Sequence, residues 1–148
     1  MQDKKTIALI GYSGHSFVVA ETLIELGFKL DFYTDQKELT YNPYGLKYLG
    51  CEVDHDFLGW ELNVSYALGI GNNRLREKTA QIVIDKNKAL QKVISNNSLI
   101  SKTALIGNGV FVSRGVIVNA LAQIEDYAIL NLSLIHISEP TRRTPISY

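Results

Sequence analysis

The sequence has little that would indicate an extracellular, membrane or nucleic-acid-binding protein. It contains one cysteine, Cys51, so no disulfide can form within the chain, and the reducing cytoplasm is the expected location. Fifteen basic residues balance fifteen acidic ones, which provides no net attraction to nucleic acids or anionic membranes. No apolar run is long enough to span a bilayer, and the first residues lack the apolar core of a secretory signal.

The first part of the chain alternates between strand-like and helix-like patterns. Residues 6–10 form a continuous apolar run, as in a buried parallel strand, and apolar residues at helical spacing then continue to Gly27. Residues 30–34 and 64–70 read as further strands, a second helix follows the latter, and residues 91–94 are expected to close the sheet. This pattern predicts an α/β domain with a Rossmann-like parallel sheet.

A glycine-bearing turn joins the first strand to the first helix. Gly11, Ser13, Gly14 and His15 lie in it, and the free N–H groups of the helix start would suit a phosphate. The spacing is shorter than the full G-x-G-x-x-G dinucleotide pattern, so a turn that only packs the helix on the sheet is equally compatible. His15 could bond a phosphate or sugar hydroxyl, or simply cap the helix.

A second polar group of residues follows the other strands. Asp35 and Gln36 come directly after the second strand, and Gly71 and Asn72 follow the third. Carboxyl ends of parallel strands share one edge, where ligands bind. The sequence therefore predicts a sugar-nucleotide cleft there, although Asp35 alone could be a solvated turn residue. Asn72 or Asn73 is a suitable helix cap.

A six-residue repeat occupies the second part of the chain. Neither a helix nor an alternating strand has this period, which is typical of a hexapeptide parallel β-helix. Small or β-branched residues stand two places before five of the repeating positions, and glycines and asparagines mark the turns. The repeating apolar residues are Ile100, Ile106, Val112, Val118, Ile124 and Leu130.

These patterns divide the chain into three segments. Residues 1–95 are predicted to form the Rossmann-like domain and residues 96–131 an incomplete β-helix of fewer than two coils. Residues 132–148 resemble the translation of a transposase-type sequencing adapter, and two of the three prolines lie there, so this segment is expected to be non-native. An uncapped solenoid end exposes apolar surface, and instability or association is the expected result.

The turn at residues 11–15, the Gly-Ile-Gly-Asn-Asn segment at 69–73 and the Ile-Gly-Asn-Gly segment at 106–109 together resemble one bacterial family. This is the NeuD/PglD-like family of sialic acid O-acetyltransferases and UDP-amino-sugar N-acetyltransferases. The resemblance covers residues 6–131. It implies a Rossmann-like domain that binds the sugar nucleotide, followed by the start of a left-handed parallel β-helix.

The resemblance also implies roles for particular residues. Ser13, Gly14 and His15 would face the phosphates or sugar. Asp35 and Gln36 would lie near the nucleoside, while Gly71 and Asn72 would help to wall the pocket. The full-length family implies a homotrimer, with acetyl-CoA as co-substrate held between neighbouring β-helices.

The catalytic base of the family is a histidine in a later coil, expected beyond Asn131. His136 stands close to that place but belongs to the adapter-like segment, so no catalytic residue and no metal ligand is assigned in this chain. Ser95 replaces a histidine that is common at the entry to the β-helix. An Asp-His-Asp run at residues 54–56 is interpreted as an exposed acidic loop.

The leading hypothesis is therefore an N-terminal fragment of an acetyl-CoA-dependent sugar N- or O-acetyltransferase. Its acceptor would be a UDP-linked amino sugar or a sialic acid, and this chain itself is expected to be inactive. The alternative is a non-catalytic sugar-nucleotide-binding module with a β-helical oligomerisation stub. A nicotinamide oxidoreductase is disfavoured because the full dinucleotide fingerprint is absent.

Overall fold

The computed structural model describes residues 5–132 and shows a parallel α/β sheet followed by a parallel β-helix. The first part contains β1 (Thr6–Ile10), α1 (His15–Glu25), β2 (Lys29–Thr34), β3 (Lys47–Tyr48), a 3₁₀ turn (Leu58–Glu61), β4 (Ser65–Leu68) and α2 (Asn73–Asp85). The strands expected at residues 6–10, 30–34 and 64–70 and the two expected helices are confirmed, and the short β3 is an addition. No helix within the described range is long and apolar enough to cross a bilayer.

The sheet has the parallel order β3-β2-β1-β4. The central strand β1 is buried along residues 7–10, which explains its continuous apolar sequence. Apolar side chains cover both faces of the sheet in two separate clusters, one with Val19 and Leu23 of α1 and the other with Ala80 and Val83 of α2. The prediction of a Rossmann-like parallel sheet is confirmed.

Seven two-residue strands form the β-helix within residues 5–132. They are β5 (Val93–Ile94), β6 (Leu99–Ile100), β7 (Leu105–Ile106), β8 (Phe111–Val112), β9 (Ile117–Val118), β10 (Gln123–Ile124) and β11 (Ile129–Leu130). They stack in parallel as three faces: β5-β8-β11, β6-β9 and β7-β10. The residue that repeats every six positions points into the solenoid, and Val112, Val118 and Ile124 are buried there. The predicted hexapeptide β-helix is confirmed.

The corners of the β-helix repeat a backbone conformation as well as a sequence. Gly109, Gly115, Leu121 and Tyr127 are six residues apart, and all have positive φ, between 63° and 82°. Glycine adopts this left-handed region freely, whereas a bulky side chain there is strained. The sequence therefore supplies an unstrained residue at only the first two of these corners.

One strand expectation needs correction. Residues 91–94 were expected to close the Rossmann-like sheet, but Val93–Ile94 pairs with Phe111–Val112 and belongs to the β-helix. The sheet contact is made just before it, where Leu90 bridges Tyr66 of β4. Val93–Ile94 belongs to the β-helix because it follows the same six-residue repeat. Ile94 lies six residues before Ile100, so the repeat begins one six-residue unit earlier than expected. The division of the chain at residue 95 stays a prediction.

The two parts share one apolar core. Val93 and Phe111 project outward from the β-helix face β5-β8-β11 and are buried in the same cluster as Ile7, Leu9 and Val19. Their equivalents on the other two faces, including Leu99 and Leu105, remain exposed. One face of the β-helix is thus covered by the Rossmann-like domain.

Candidate functional site

A cleft of about 400 Å³ lies at the carboxyl ends of β1, β2 and β4. This is the edge of a parallel sheet at which ligands bind in open α/β folds. Six of the eight residues predicted to contact substrate line it: Gly11, Ser13, Asp35, Gln36, Gly71 and Asn72. The structure therefore brings together residues from three separate strand ends, although their contacts with a substrate stay a prediction.

Two strand-end turns pack tightly at the floor of the cleft. Gly11 has φ +88° and donates its N–H to the Thr34 oxygen at 2.9 Å. Gly69 donates its N–H to the Ile10 oxygen at 2.8 Å. A side chain at position 69 would place its Cβ 2.7 Å from the Ser16 Cβ and 2.8 Å from the Gly11 oxygen. Only glycine allows the two turns to approach this closely.

The carboxylate of Asp35 is held in place by backbone amides. Its Oδ2 accepts from the Tyr12 N–H at 3.1 Å and its Oδ1 accepts from the Gln36 N–H at 2.8 Å. Each oxygen retains further acceptor capacity. Asp35 therefore presents a fixed acceptor to the cleft, as recognition of a ribose hydroxyl or a base N–H requires.

The start of α1 borders the cleft. Gly14 is the N-cap residue with φ 54°, and no side chain caps this end. Ser13 lines the cleft, whereas Gly14 and His15 are not among the residues that do so. Gly14 is exposed and His15 is half-buried beside Gly71 of the cleft wall, and the helix start carries the positive end of its dipole.

The imidazole of His15 lies between the two parts of the molecule. Its ring stands edge-on to Phe111, with centroids 5.1 Å apart, and its Nε2 atom is buried without a hydrogen-bond partner. Burial, and secondly the charge of Arg76, lower the pKa of His15 from 6.5 to about 4. The ring is therefore uncharged at neutral pH. The adjacent Ser16 hydroxyl is also buried without a partner.

Asn72 caps the second helix, as the sequence predicted for Asn72 or Asn73. Its side-chain oxygen accepts from the Leu75 N–H at 2.9 Å. The cap satisfies one of the amides that the helix start leaves free. Asn72 therefore has a structural role in addition to its place in the cleft wall.

Sequence reasoning missed several cleft residues on α2 and on the segment after β3. Lys78 brings a positive charge to the cleft, and Glu52 brings an acceptor that is bound by the Thr34 hydroxyl at 2.7 Å. Val53, Leu75 and Ile82 add apolar surface. The sequence could have indicated an apolar helix face here, because Leu75 and Ile82 are seven residues apart and lie on the same side of the helix. Only the fold shows that this face borders the cleft.

Arg76 is the other residue that sequence reasoning missed. It is 1% exposed and donates hydrogen bonds to four backbone carbonyls from both parts of the molecule. Its spacing along the helix could have indicated burial. Positions 76, 79, 80 and 83 lie on one face of α2, and the other three residues on that face are small or apolar. A charged residue on that inward face must find internal partners.

Other candidates from the sequence lie outside the cleft. His55 and its neighbours Asp54 and Asp56 are exposed, and no group of three potential metal ligands gathers within residues 5–132. Ser95 is buried at the entry to the β-helix, where its Oγ accepts from the Asn97 N–H at 3.0 Å. His136 and residues 133–148 of the adapter-like segment fall outside the described residues.

Comparison with known families gives one match that covers more than half of the chain. The model of the PglD N-terminal domain family matches residues 6–83. That range includes all eight residues that were predicted to contact substrate. It ends before the β-helix begins.

Solved structures resemble both parts of the chain. The acetyltransferase domain of PglB from Neisseria gonorrhoeae FA1090, in complex with acetyl coenzyme A, has a TM-score of 0.76 at 26% identity and covers 87% of this chain. A mutant perosamine N-acetyltransferase from Caulobacter crescentus, in complex with CoA and GDP-perosamine, has a TM-score of 0.76 at 30% identity and covers 86%. The match spans 62% and 60% of the two solved chains, respectively.

Proposed function

This chain belongs to the PglD N-terminal domain family, and we propose that it binds a nucleotide-linked amino sugar or a sialic acid for acetylation. It would supply the acceptor-binding part of an acetyl-CoA-dependent sugar N- or O-acetyltransferase. The carrying observation is the cleft at the strand ends, which combines the fixed Asp35 carboxylate with the turn at Ser13 that leads into α1. A nucleoside and its phosphates need these two kinds of group.

The lining of the cleft supports one orientation of the ligand. The nucleoside end would lie by Asp35 and Gln36, against the apolar surface of Val53, Leu75 and Ile82. The phosphates would lie by Ser13 and the helix start, with Lys78 to balance their charge. The sugar would then extend past Gly71 towards His15 and the β-helix.

The solved relatives support the proposal for the ligand class. One is described in complex with acetyl coenzyme A, and another in complex with CoA and GDP-perosamine, a nucleotide-linked amino sugar. We expect a UDP-linked amino sugar to be the ligand of this chain. Competition between UDP and GDP for the cleft distinguishes the two nucleotides directly.

Transfer of the acetyl group needs parts beyond the described residues. The acceptor nitrogen or oxygen must lose a proton as it attacks the thioester carbonyl, and the CoA thiol leaves. A histidine near neutral pKa suits that role, but residues 93–132 of the β-helix contain none. We therefore expect binding without turnover from this chain. The base and a complete acetyl-CoA site would come from later coils and neighbouring copies.

The outward faces of the β-helix support the homotrimer that is expected of the full-length protein. Leu99 and Ile117 stack on one face and Leu105 lies on the next, and all three are more than half exposed. Exposed contiguous apolar residues mark interaction surfaces. Light scattering after size-exclusion chromatography measures the assembly. A stable trimer from this chain favours the non-catalytic binding module, whereas ill-defined aggregates favour an incomplete β-helix.

Two assays on the 148-residue chain test the function. Backbone amide shifts are recorded by NMR during titration with a UDP-linked amino sugar, and thiol release is followed with acetyl-CoA present. We expect shifts at Gly11, Ser13 and Gly71, and no thiol release above the rate without protein. Shifts confined to the β-helix contradict the assignment of the cleft. Saturable turnover contradicts the assignment of the base to later coils.

A further inference from the structure

Arg76 is a buried cation that has no carboxylate partner among residues 5–132. It lies on the inner face of α2 beside Thr79 and Ala80, is 1% exposed, and takes part in none of the ion pairs formed within residues 5–132. Moving a charged side chain out of water is costly unless hydrogen bonds replace its hydration. Burial lowers the pKa of its guanidinium to about 10, so the group stays charged at neutral pH.

The guanidinium divides its hydrogen bonds between the two parts of the molecule. Nη1 donates to the Leu68 oxygen at 2.9 Å and to the Ile70 oxygen at 3.1 Å. These carbonyls stand at the end of β4, directly before Gly71 and Asn72 of the cleft wall. Nη2 donates to the Gly109 oxygen at 2.8 Å, and Nε donates to the Tyr127 oxygen at 2.6 Å.

The two acceptors on the β-helix are stacked corners. Gly109 and Tyr127 are 18 residues apart, one full coil, and both have positive φ. The corners also bond to each other, because the Tyr127 N–H donates to the Asn108 oxygen at 2.7 Å. Each of these two corner residues also accepts, at its carbonyl oxygen, from a donor outside the strand ladder. Arg76 is that donor for both corners.

A guanidinium suits this arrangement because its donors are fixed in one plane. Arg76 uses four N–H groups on three nitrogen atoms to reach four carbonyls at once. A lysine carries three donors on one nitrogen and cannot span the same set. Replacement by an apolar side chain would leave the four carbonyls without these donors.

We propose that Arg76 is a positioning residue that holds the wall of the cleft at a fixed place relative to the corners of the β-helix. This inference rests on the proposed function, because its purpose is to present a sugar bound in the cleft to the transfer site on the β-helix. Arg76 touches neither the sugar nor the acetyl group in this account. It acts through the segment from Leu68 to Asn72.

His15 lies at the same boundary between the cleft wall and the β-helix, and its ring can be observed in the chain without a ligand. Its ring contacts Phe111 of the β-helix, and its Cβ lies close to Gly71 of the cleft wall, where an added Cβ would come within 3.3 Å of it. Arg76 is the charged group that acts on its ring. Titration of the His15 imidazole by NMR therefore responds to burial of the ring and secondly to the charge of Arg76, while ligand affinity responds to the geometry that Arg76 maintains.

The experiment compares Arg76→Lys and Arg76→Met with the control Arg74→Met in the 148-residue chain. Arg74 is exposed on the same helix and does not line the cleft. The affinity for a UDP-linked amino sugar is measured by calorimetry, and His15 is titrated by NMR in each variant. Far-UV circular dichroism shows which variants are folded.

We expect Arg76→Lys to weaken the ligand at least about ten-fold, equivalent to about 1.4 kcal/mol, while the pKa of His15 stays low because the charge is retained. Arg76→Met should weaken binding and also raise the pKa of His15, and Arg74→Met should change neither. Wild-type affinity in a folded Arg76→Lys chain overturns the proposal, whether or not Arg76→Met folds.

Failure of the proposed function gives a different pattern. If the wild-type chain binds no sugar nucleotide, the function is wrong, and the His15 titration still decides whether Arg76 acts at this boundary. An unchanged His15 titration in a folded Arg76→Met chain then overturns the positioning role as well.

Discussion

His15 and Phe111 meet edge to face, with ring centroids 5.1 Å apart and planes inclined by 85°. One residue begins the first helix of the Rossmann-like domain and the other belongs to the second coil of the β-helix. Edge-to-face packing of this kind adds to the gain from burial. The contact lies on the boundary between the two parts and continues the apolar core from one into the other.

We predict that Phe111→Ala destabilises the whole chain. Its ring is 1% exposed within the core shared by both parts, and loss of a buried phenylalanine costs about 3–5 kcal/mol. Leu105→Ala is the matched control, because Leu105 occupies the equivalent outward position six residues earlier and is 64% exposed. Its effect should stay within about 0.5 kcal/mol. Urea unfolding measures both, and equal effects would show that the two parts do not share a core.

Stability should fall on acidification because of His15. Its pKa is about 4 in the folded chain against 6.5 ordinarily, so between these values the unfolded state binds more protons than the folded state. The free energy of unfolding therefore decreases as the pH falls through this window, by less than about 1.4 kcal/mol per pH unit. His15→Gln should remove this contribution. The free energy of unfolding is measured for both chains from pH 7 to pH 4. The same decrease in both chains would contradict the prediction.

The two roles of Asn72 can be separated. Asn72→Ala removes the oxygen that accepts from the Leu75 N–H and should cost about 1 kcal/mol of stability. Asn72→Asp retains an acceptor and should keep the stability within about 0.5 kcal/mol of wild type, yet weaken a phosphate-bearing ligand by charge repulsion. Thermal unfolding and calorimetry measure the two effects. Equal ligand affinity in the aspartate variant would place Asn72 away from the phosphates.

Leu121→Gly should stabilise the β-helix, although glycine usually weakens structure. Leu121 has φ 64° and is 76% exposed, so its side chain contributes little burial at a strained corner. Relief of left-handed strain returns about 1–2 kcal/mol, against about 0.5–1 kcal/mol lost in chain entropy. Leu105→Gly, in a strand, should destabilise instead. A lower melting temperature for Leu121→Gly than for wild type would contradict the strain at this corner.

The sequence predicted the elements in which buried apolar side chains follow a clear pattern along the chain. The buried run of β1 and the six-residue repeat from Ile100 to Leu130 each have one interpretation in terms of burial. The β-helix assignment of Val93–Ile94 was missed because two residues carry too little pattern to distinguish a closing strand from a first coil. The pairing partner, Phe111–Val112, is known only from the fold.

The cleft residues that follow strands could be predicted from the sequence, whereas those on the faces of α2 could not. Gly11, Asp35 and Gly71 follow predicted strands, so the parallel sheet alone brings them to one edge. Lys78 and Arg76 lie on the same helix two residues apart, and one lines the cleft while the other is buried against the β-helix. Their different surroundings depend on how α2 packs between the two parts, which no local pattern specifies.

Binding of a sugar nucleotide in the cleft is measured by calorimetric titration of the 148-residue chain with a UDP-linked amino sugar, with Lys78→Ala and the control Lys86→Ala beside it. Lys78 lines the cleft, whereas Lys86 follows the far end of the same helix. We expect saturable binding by wild type and Lys86→Ala, and binding at least about ten-fold weaker, or about 1.4 kcal/mol, in Lys78→Ala. Absence of binding, or equal affinity in all three chains, would contradict a sugar-nucleotide site in this cleft.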